Sequence, residues 1–241
     1  MTHAYHEQVR DHYERFPYPT YSWFSLGSWK QLESVDLKTW GIEGKIENAW
    51  IAGCGTIAPL MFGRRNPETA FFCTDLSEKS LRQLKWRLFL QGIRNVKSLA
   101  EDIMMSNYRE QFDAVDCYGV LHHNFSPAHA LKKLTDALRP GGVLRLMVYR
   151  RKARQEIEEL RAKIVQKGLK NISDLKKEIK SAGLSFMGDL SNSSGIADAL
   201  LNPVVHTYDN ESFDRLIESE ARLKLFKFDE TSNFIAFLKR I

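Results

Sequence analysis

Short apolar segments alternate with amphipathic segments between residues 46 and 150, and this pattern limits the possible folds more than any other feature of the chain. The apolar, strand-like segments are NAWIAG, TAFFCTD, VKSLAED, FDAVDCYGVLHH and VLRLMVY. LSEKSLRQLKWRLFLQG and SPAHALKKLTDALRPGG lie between them and have the apolar spacing, serine caps and terminal glycines of helices. This alternation predicts a mostly parallel sheet with helices on both faces. Ligands of such sheets bind beyond the carboxyl ends of the strands.

The segments that flank this core have different patterns. We expect residues 1–45 to form a helix, over 4–16, followed by an aromatic arm, because the two prolines of FPYPTY hold the chain extended. Residues 151–205 interrupt the alternation and predict a helical insertion that covers the substrate. Residues 206–241 predict a final helix and an antiparallel hairpin formed by RLKLFKF and NFIAFLKRI.

The predicted fold class is therefore α/β. We expect a Rossmann-like sheet of seven strands, mostly parallel, with a C-terminal antiparallel hairpin. Residues 46–150 form the predicted ligand-binding core, residues 206–241 complete its sheet, and the helical insertion is a lid.

The net charge of +5 is concentrated in one part of the chain. Residues 150–180 contain eleven Lys/Arg and five Asp/Glu, so the remaining residues are nearly neutral. Arg150, Arg151 and Arg154 follow the fifth strand and suit a carboxylate or phosphate group. The segment indicates either the solvated face of a lid helix or a surface for RNA or an anionic substrate.

Two classes of protein are disfavoured by the composition. No apolar run approaches the roughly 18–20 residues that span a bilayer, and MTHAYHEQVRDHYERF has no signal segment, so we expect a cytoplasmic protein without membrane contact. The three cysteines, Cys54, Cys73 and Cys117, lack metal-ligand spacing. We expect them to be reduced and buried, and we expect no metal site.

Glycines and acids stand at the ends of four successive predicted strands. Gly53-Cys54-Gly55 follows the first strand and Asp75 ends the second, 20 residues after Gly55. An acid at that spacing accepts hydrogen bonds from the two hydroxyls of a ribose. Asp102 ends the third strand, where it can accept from an adenine amino group, and Gly119 ends the fourth. Together they predict a site for a cofactor that contains adenosine.

The glycine turn discriminates between two such cofactors. The pyrophosphate of NAD favours a GxGxxG turn at a helix N-terminus. Here Ile57 and Ala58 follow Gly55, so the glycine pattern stops early. S-adenosylmethionine has no phosphate, and the sequence therefore favours this methyl donor.

The motifs IAGCGT, TDLS, AEDI, FDAVDCYGVLHH and LRPGGVLRLMVYRRKAR resemble, in order and spacing, those of class I S-adenosylmethionine-dependent methyltransferases. They are similar above all to a bacterial subgroup that is often fused to tetratricopeptide repeats. The resemblance covers residues 46–154, with weaker similarity at YPYPTY and NPVVHTYD. The chain departs from the family at Ile51, where an acid is common, and at Ile57, where a third glycine is usual.

The resemblance implies a set of cofactor contacts. The methionine part lies at Gly53 and Gly55, the ribose at Asp75, the adenine at Asp102 and Ile103, and the sulfonium at Gly119 and Val120. The complete predicted set of cofactor residues is Gly53, Cys54, Gly55, Asp75, Leu76, Asp102, Ile103, Gly119, Val120 and Tyr18.

Three side chains are candidates for the chemistry. His122 or His123 can act as a general base near neutral pH, although either can equally have a structural role. Tyr21 lies in the aromatic arm, which is interpreted as a lid that excludes water or as core packing. The predicted function is methylation of a small molecule at oxygen or nitrogen. The alternatives are an RNA or protein methyltransferase that uses the basic segment, and a non-catalytic module that binds the cofactor.

Overall fold

The computed structural model describes residues 2–19 and 34–241. Its strands are β1 (Asn48–Ala52), β2 (Ala70–Asp75), β3 (Val96–Ala100), β4 (Phe112–Tyr118), β5 (Leu138–Tyr149), β6 (Leu223–Glu230) and β7 (Asn233–Arg240). Its helices are α1 (Thr2–Arg15), α2 (Ala58–Arg65), α3 (Glu78–Leu90), α4 (Pro127–Ala137), α5 (Arg151–Gln166), α6 (Ile172–Ser181), α7 (Ser193–Leu201) and α8 (Asn210–Glu218).

Within these described residues the strands form one seven-stranded sheet in the order β3-β2-β1-β4-β5-β7-β6. The first five strands pair in parallel, and β7 runs antiparallel between β5 and β6. The strand order reverses between β1 and β4, where open α/β sheets bind their ligands. The predicted fold class, including the C-terminal antiparallel hairpin, is confirmed.

The element boundaries follow local chemistry. The hydroxyl of Ser77 accepts a hydrogen bond from the backbone N–H of Ser80, so this serine caps α3 as predicted. The end of α4 differs from the prediction: the helix stops at Ala137, and Leu138 already pairs with Phe112 as the start of β5. Pro140 explains the early stop, because proline disfavours helical backbone at the residue before it.

Apolar side chains cover both faces of the sheet. Trp50 and Leu131 belong to a cluster on the α4 face, while Leu60 and Leu84 belong to a cluster beneath α2 and α3. Helices α5, α6 and α7 share a third cluster, which contains Ile157. These three helices therefore have an apolar core of their own beside the sheet.

Ile157→Ala is expected to lower the free energy of unfolding by about 2–5 kcal/mol, since Ile157 is 0% exposed and its removal leaves a cavity. Val165→Ala on the same helix is the matched control. Val165 is 70% exposed, so we expect a change within about 0.5 kcal/mol. Urea unfolding followed by circular dichroism measures both values, and equal effects would contradict the packing described for α5.

Candidate functional site

A cavity of about 390 Å³ opens at the carboxyl ends of β1, β2 and β4, beside the segment that follows β3. Most of the side chains predicted for the site line this cavity. They are Tyr18, Gly53, Cys54, Gly55, Asp75, Leu76, Asp102, Ile103, Gly119, Val120 and His123. His122 is not among the lining residues, and Tyr21 lies outside the residues that the structure describes.

The glycine turn after β1 is fixed to the end of β2. The backbone N–H groups of Gly53 and Cys54 both donate to the carbonyl of Thr74, at 2.8 and 2.9 Å. Gly53 has a φ of 71°, a conformation that residues with a Cβ rarely adopt. A Cβ there would also lie 2.4 Å from a methyl carbon of Val120. The turn therefore requires glycine at this position for two independent reasons.

Asp75 connects the turn to the second strand end. Its Oδ2 accepts from the N–H of Gly55 at 2.8 Å, and its Oδ1 accepts from the N–H of Ser77 at 2.9 Å. Each oxygen has a further lone pair, so the carboxylate can also accept from two hydroxyl groups. Burial raises the pKa of Asp75 to about 6, because the ionised form loses solvation, although both backbone hydrogen bonds act in the opposite direction.

The two acids that follow β3 have different partners. Oε2 of Glu101 accepts from the hydroxyl of Tyr108 at 2.7 Å. Oδ1 of Asp102 accepts from the N–H of Met104 at 2.8 Å and caps the short helical turn Ile103–Met105. That bond fixes the direction of Asp102 and places Ile103 on the cavity wall.

The N-terminal segment lies over the glycine turn. The hydroxyl of Thr56 donates to the carbonyl of Pro19 at 2.5 Å, and a Cβ on Gly55 would lie 2.9 Å from the carbonyl oxygen of Tyr18. Tyr18 and Pro19, which precede the first residue of β1 by 30 and 29 positions, thus form part of the cavity wall.

The two adjacent histidines have different environments. The ring of His122 is 0% exposed, lies 3.8 Å from the ring of Tyr149, and has no hydrogen bond at either nitrogen within the described part of the chain. Nδ1 of His123 lies 2.8 Å from the carbonyl oxygen of Val204. A carbonyl only accepts, so the proton resides on Nδ1 and Nε2 is an acceptor.

Nε2 of His123 is buried among charged and hydroxyl groups. Oδ1 of Asp198, on α7, lies 3.8 Å from it. Asp198 also accepts from the hydroxyl of Tyr13 at 2.8 Å and from that of Tyr149 at 3.3 Å. Nε2 itself has no hydrogen-bond partner among the described residues. Burial lowers the pKa of His123, and Asp198 partly offsets this effect.

Several residues of the cavity wall are not among the site residues predicted from the sequence. Tyr13 and Tyr149 line it from α1 and β5, while Asp116 and Arg145 line it from within β4 and β5. Asp116 and Arg145 could have been found from the sequence, because each places a charge inside a strand that is otherwise apolar. Buried charges are rare unless they are paired. No comparable signal identifies Asp198, which lies in the ordinary helical segment SSGIADALL.

The two departures from the family pattern are both buried in the cavity wall. Ile51 and Ile57 are 2% and 3% exposed, and both belong to the apolar cluster beneath α2. Ile57 precedes the first residue of α2 and stiffens the turn at the point where a third glycine is usual.

The described residues show neither a metal-binding cluster nor a membrane-spanning helix. Residues 2–19 and 34–241 contain no group of three or more His, Cys, Asp or Glu side chains placed to hold a metal ion. Among the same residues, no helix combines the length and the apolar character that crossing a membrane requires.

The chain is similar in sequence to known proteins. Residues 51–144 match the family model described as a methyltransferase domain. Over 116 residues the chain is 29% identical to an uncharacterized protein of Synechococcus sp., a match that covers 47% of this chain and 28% of that protein. The match thus spans about a quarter of the length of this curated relative.

Solved structures share the fold at low sequence identity. PKMT2 from Rickettsia typhi is similar with a TM-score of 0.66 and 17% identity, over 92% of this chain and 54% of that one. The 1,6-didemethyltoxoflavin-N1-methyltransferase of Burkholderia thailandensis is similar with a TM-score of 0.63 and 12% identity, over 100% and 90% of the two chains. The chain therefore contains a methyltransferase domain with the fold of the class I S-adenosylmethionine-dependent enzymes.

The residues at the strand ends fit S-adenosylmethionine, the cofactor of this class. Gly53 and Gly55 line the cavity at the end of β1, and Asp75 retains lone pairs for a ribose. Asp102 and Ile103 lie on the wall next to it, where the adenine is expected. The contact of each of these residues with the cofactor is a prediction.

Cofactor affinity is expected to depend on the ionisation of Asp75. Ribose hydroxyls donate to the ionised carboxylate, so affinity for S-adenosylhomocysteine should fall as the pH drops through about 6, approaching roughly tenfold per pH unit. Asp75→Asn should bind more weakly and lose this dependence. Calorimetric titration across the pH range measures both effects, and an unchanged profile in the variant would remove Asp75 from the ribose site.

Proposed function

We propose that the protein transfers a methyl group from S-adenosylmethionine to an oxygen or nitrogen atom of a small molecule. The observation that supports this most directly is the cover over the cavity: the backbone of Tyr18 and Pro19 lies against Gly55 and Thr56. A cover of this kind favours a small acceptor, because a polymer reaches such a site only through an extruded base or an extended side chain. When bound, the cofactor supplies a methyl group already activated by the positive charge on its sulfur.

One neighbour of known structure supports an acceptor of this size. The Burkholderia neighbour acts, by its name, on 1,6-didemethyltoxoflavin, which its structure contains together with S-adenosylhomocysteine. The motifs of the chain are also similar to the bacterial subgroup named above, and we propose that it belongs there. The chain spans about half the length of the Rickettsia protein. If this chain is part of a longer protein, we propose the same methyl transfer for that protein.

We assign the role of general base to His123. Nδ1 donates to Val204, which holds the ring in the tautomer whose Nε2 can take a proton from the acceptor hydroxyl or amine. Asp198 lies close enough to stabilise the imidazolium that results. His122, which is stacked on Tyr149 and does not line the cavity, has the structural role in this proposal.

Access to Nε2 requires movement of the wall around it. Tyr13 on α1 and Asp198 on α7 are hydrogen-bonded to each other beside His123. We propose that residues 1–45 and 151–205 are two lids. Residues 46–150 and 206–241 are then the core between them. The Tyr13–Asp198 hydrogen bond closes the lids over the acceptor. Closure excludes water and holds the acceptor in line with the methyl group.

The alternative of an RNA or protein substrate has less support from the charges. Several cations of the basic segment already have acidic partners. The pairs are Arg150–Glu230, Arg151–Asp209, Arg154–Asp189, Lys167–Glu178 and Lys177–Asp174. None of these cations lines the cavity. The segment therefore offers fewer unpaired charges to a phosphate backbone, or to an anionic acceptor, than its composition indicates.

The test is to incubate the protein with S-adenosylmethionine that carries a labelled methyl group and with a bacterial extract separated into small molecules, protein and nucleic acid. We expect label in the small-molecule fraction alone. Label only in protein or nucleic acid would overturn the proposal. So would methylation of tRNA together with salt-sensitive binding of that tRNA. Absence of calorimetric heat with both cofactor and product would favour the non-catalytic module instead.

The cysteines bear on the location of the protein. Cys54, Cys73 and Cys117 are free and buried. A reducing compartment preserves such thiols, and this supports our proposal that the protein is cytoplasmic.

A further inference from the structure

Two opposite charges lie side by side inside the sheet, on the wall of the cavity. Asp116 of β4 and Arg145 of β5 are register partners, and Nε of the arginine donates to Oδ1 of the aspartate at 2.7 Å. They are only 3% and 5% exposed. Both line the cavity, as does Ile51, the register partner of Asp116 on β1.

Surrounding groups hold the arginine in place. Nη1 donates to the carbonyl of Ser34 at 2.7 Å, and the guanidinium carbon lies 4.8 Å from the ring centre of Tyr118 and 5.0 Å from that of Trp40. Aromatic faces attract a cation at these distances. The side chain is therefore directed by three contacts in addition to its ion pair, and its position is well defined.

The pair is not saturated. Among the described residues, Oδ2 of Asp116 and Nη2 of Arg145 make no hydrogen bond, and neither atom is completely buried. One acceptor and one donor of opposite charge therefore remain next to each other at the cavity. Buried ion pairs add little to stability compared with apolar residues of similar volume, so stability alone does not account for this one.

We propose that Asp116 and Arg145 bind the zwitterionic amino-acid end of S-adenosylmethionine. Oδ2 of Asp116 accepts from the ammonium group, and Nη2 of Arg145 donates to the carboxylate. A ligand with a single charge meets one attractive and one repulsive partner here, whereas a zwitterion meets two attractive ones. This inference rests on the proposed function, because it assigns the amino-acid end of the cofactor whose ribose is placed at Asp75.

The test compares S-adenosylhomocysteine with 5′-methylthioadenosine, a nucleoside thioether that lacks the amino-acid end. In Asp116→Asn the amide can still accept from Arg145, but its NH₂ group is directed at the ammonium. By calorimetry we expect S-adenosylhomocysteine to bind at least about tenfold more weakly, while 5′-methylthioadenosine changes by less than about twofold.

Asp113→Asn is the matched control. Asp113 also lies in β4 and pairs with a β5 arginine, Arg139, at 2.9 Å, but neither residue lines the cavity. Both affinities should stay at their wild-type values. If Asp116→Asn does not fold, the double variant Asp116→Leu/Arg145→Met removes both charges together, and it should lose the preference for S-adenosylhomocysteine over 5′-methylthioadenosine.

Two outcomes would overturn the inference: equal weakening of both ligands by the Asp116 substitution, or no weakening of either. Failure of the proposed function gives a different result. If the protein does not use S-adenosylmethionine at all, the wild-type protein itself binds neither ligand, and if its acceptor is a macromolecule, the wild-type protein still binds S-adenosylhomocysteine and the labelling experiment gives the contrary result.

Discussion

Gly53→Ala is expected to abolish measurable binding of S-adenosylhomocysteine, with a loss of affinity of at least about 100-fold. Gly53 has a φ of 71°, and left-handed backbone costs a residue with a Cβ about 1–2 kcal/mol. The new Cβ would also lie 2.4 and 2.6 Å from the two methyl carbons of Val120. Because the turn is hydrogen-bonded to the end of β2, its displacement also moves the N–H that supports Asp75.

Two further variants separate these causes. Gly92→Ala places a Cβ on another left-handed glycine, with φ of 66° and no atom within 4 Å, so it measures the backbone cost alone. It should leave cofactor affinity unchanged. Adding Val120→Ala to Gly53→Ala relieves the methyl contacts and should restore part of the affinity. Calorimetry gives the affinities and thermal unfolding shows that each variant is folded. Wild-type affinity in Gly53→Ala would show that the cofactor lies elsewhere.

His123→Gln is expected to reduce kcat by roughly 100- to 10,000-fold, the usual contribution of a general base. The reduction is to be measured on the acceptor found in the labelling experiment. Burial lowers the pKa of His123, so the wild-type rate should fall only below the pH at which an ordinary histidine becomes protonated. Cofactor affinity should change little, because the imidazole is assigned to the acceptor.

The neighbouring histidine supplies the control. His122→Phe keeps an aromatic ring next to Tyr149 and should retain kcat. Nitrogen NMR of the wild-type protein gives a readout that needs no acceptor: it should show His123 with its proton on Nδ1. Equal losses of rate in both variants, or a proton on Nε2, would contradict the assignment of the base.

Sequence patterns were sufficient to predict the strands of the sheet and the residues at the strand ends. Buried parallel strands read as apolar runs, and residues such as Ser77 and Pro59 mark helix starts through local chemistry. Parallel strands place their carboxyl ends at one edge, so Gly53, Asp75 and Gly119 could be grouped without coordinates.

Other parts of the site depend on contacts that are distant along the chain. Asp198 approaches His123 only because α7 packs on α5, and the choice between His122 and His123 depends on which ring faces the cavity. The pairing of Asp116 with Arg145 requires the β4–β5 register. Such registers arise from the whole sheet and cannot be read from local periodicity.

The position of β7 has a consequence for synthesis of the protein. In space β7 lies between β5 and β6, but along the chain it follows both of them. During translation, β5 therefore keeps an open edge of unpaired backbone groups while all the helices from α5 to α8 are made. Open strand edges promote pairing with other chains. Until β7 has been made, this edge of β5 thus remains open to pairing with a strand of another chain.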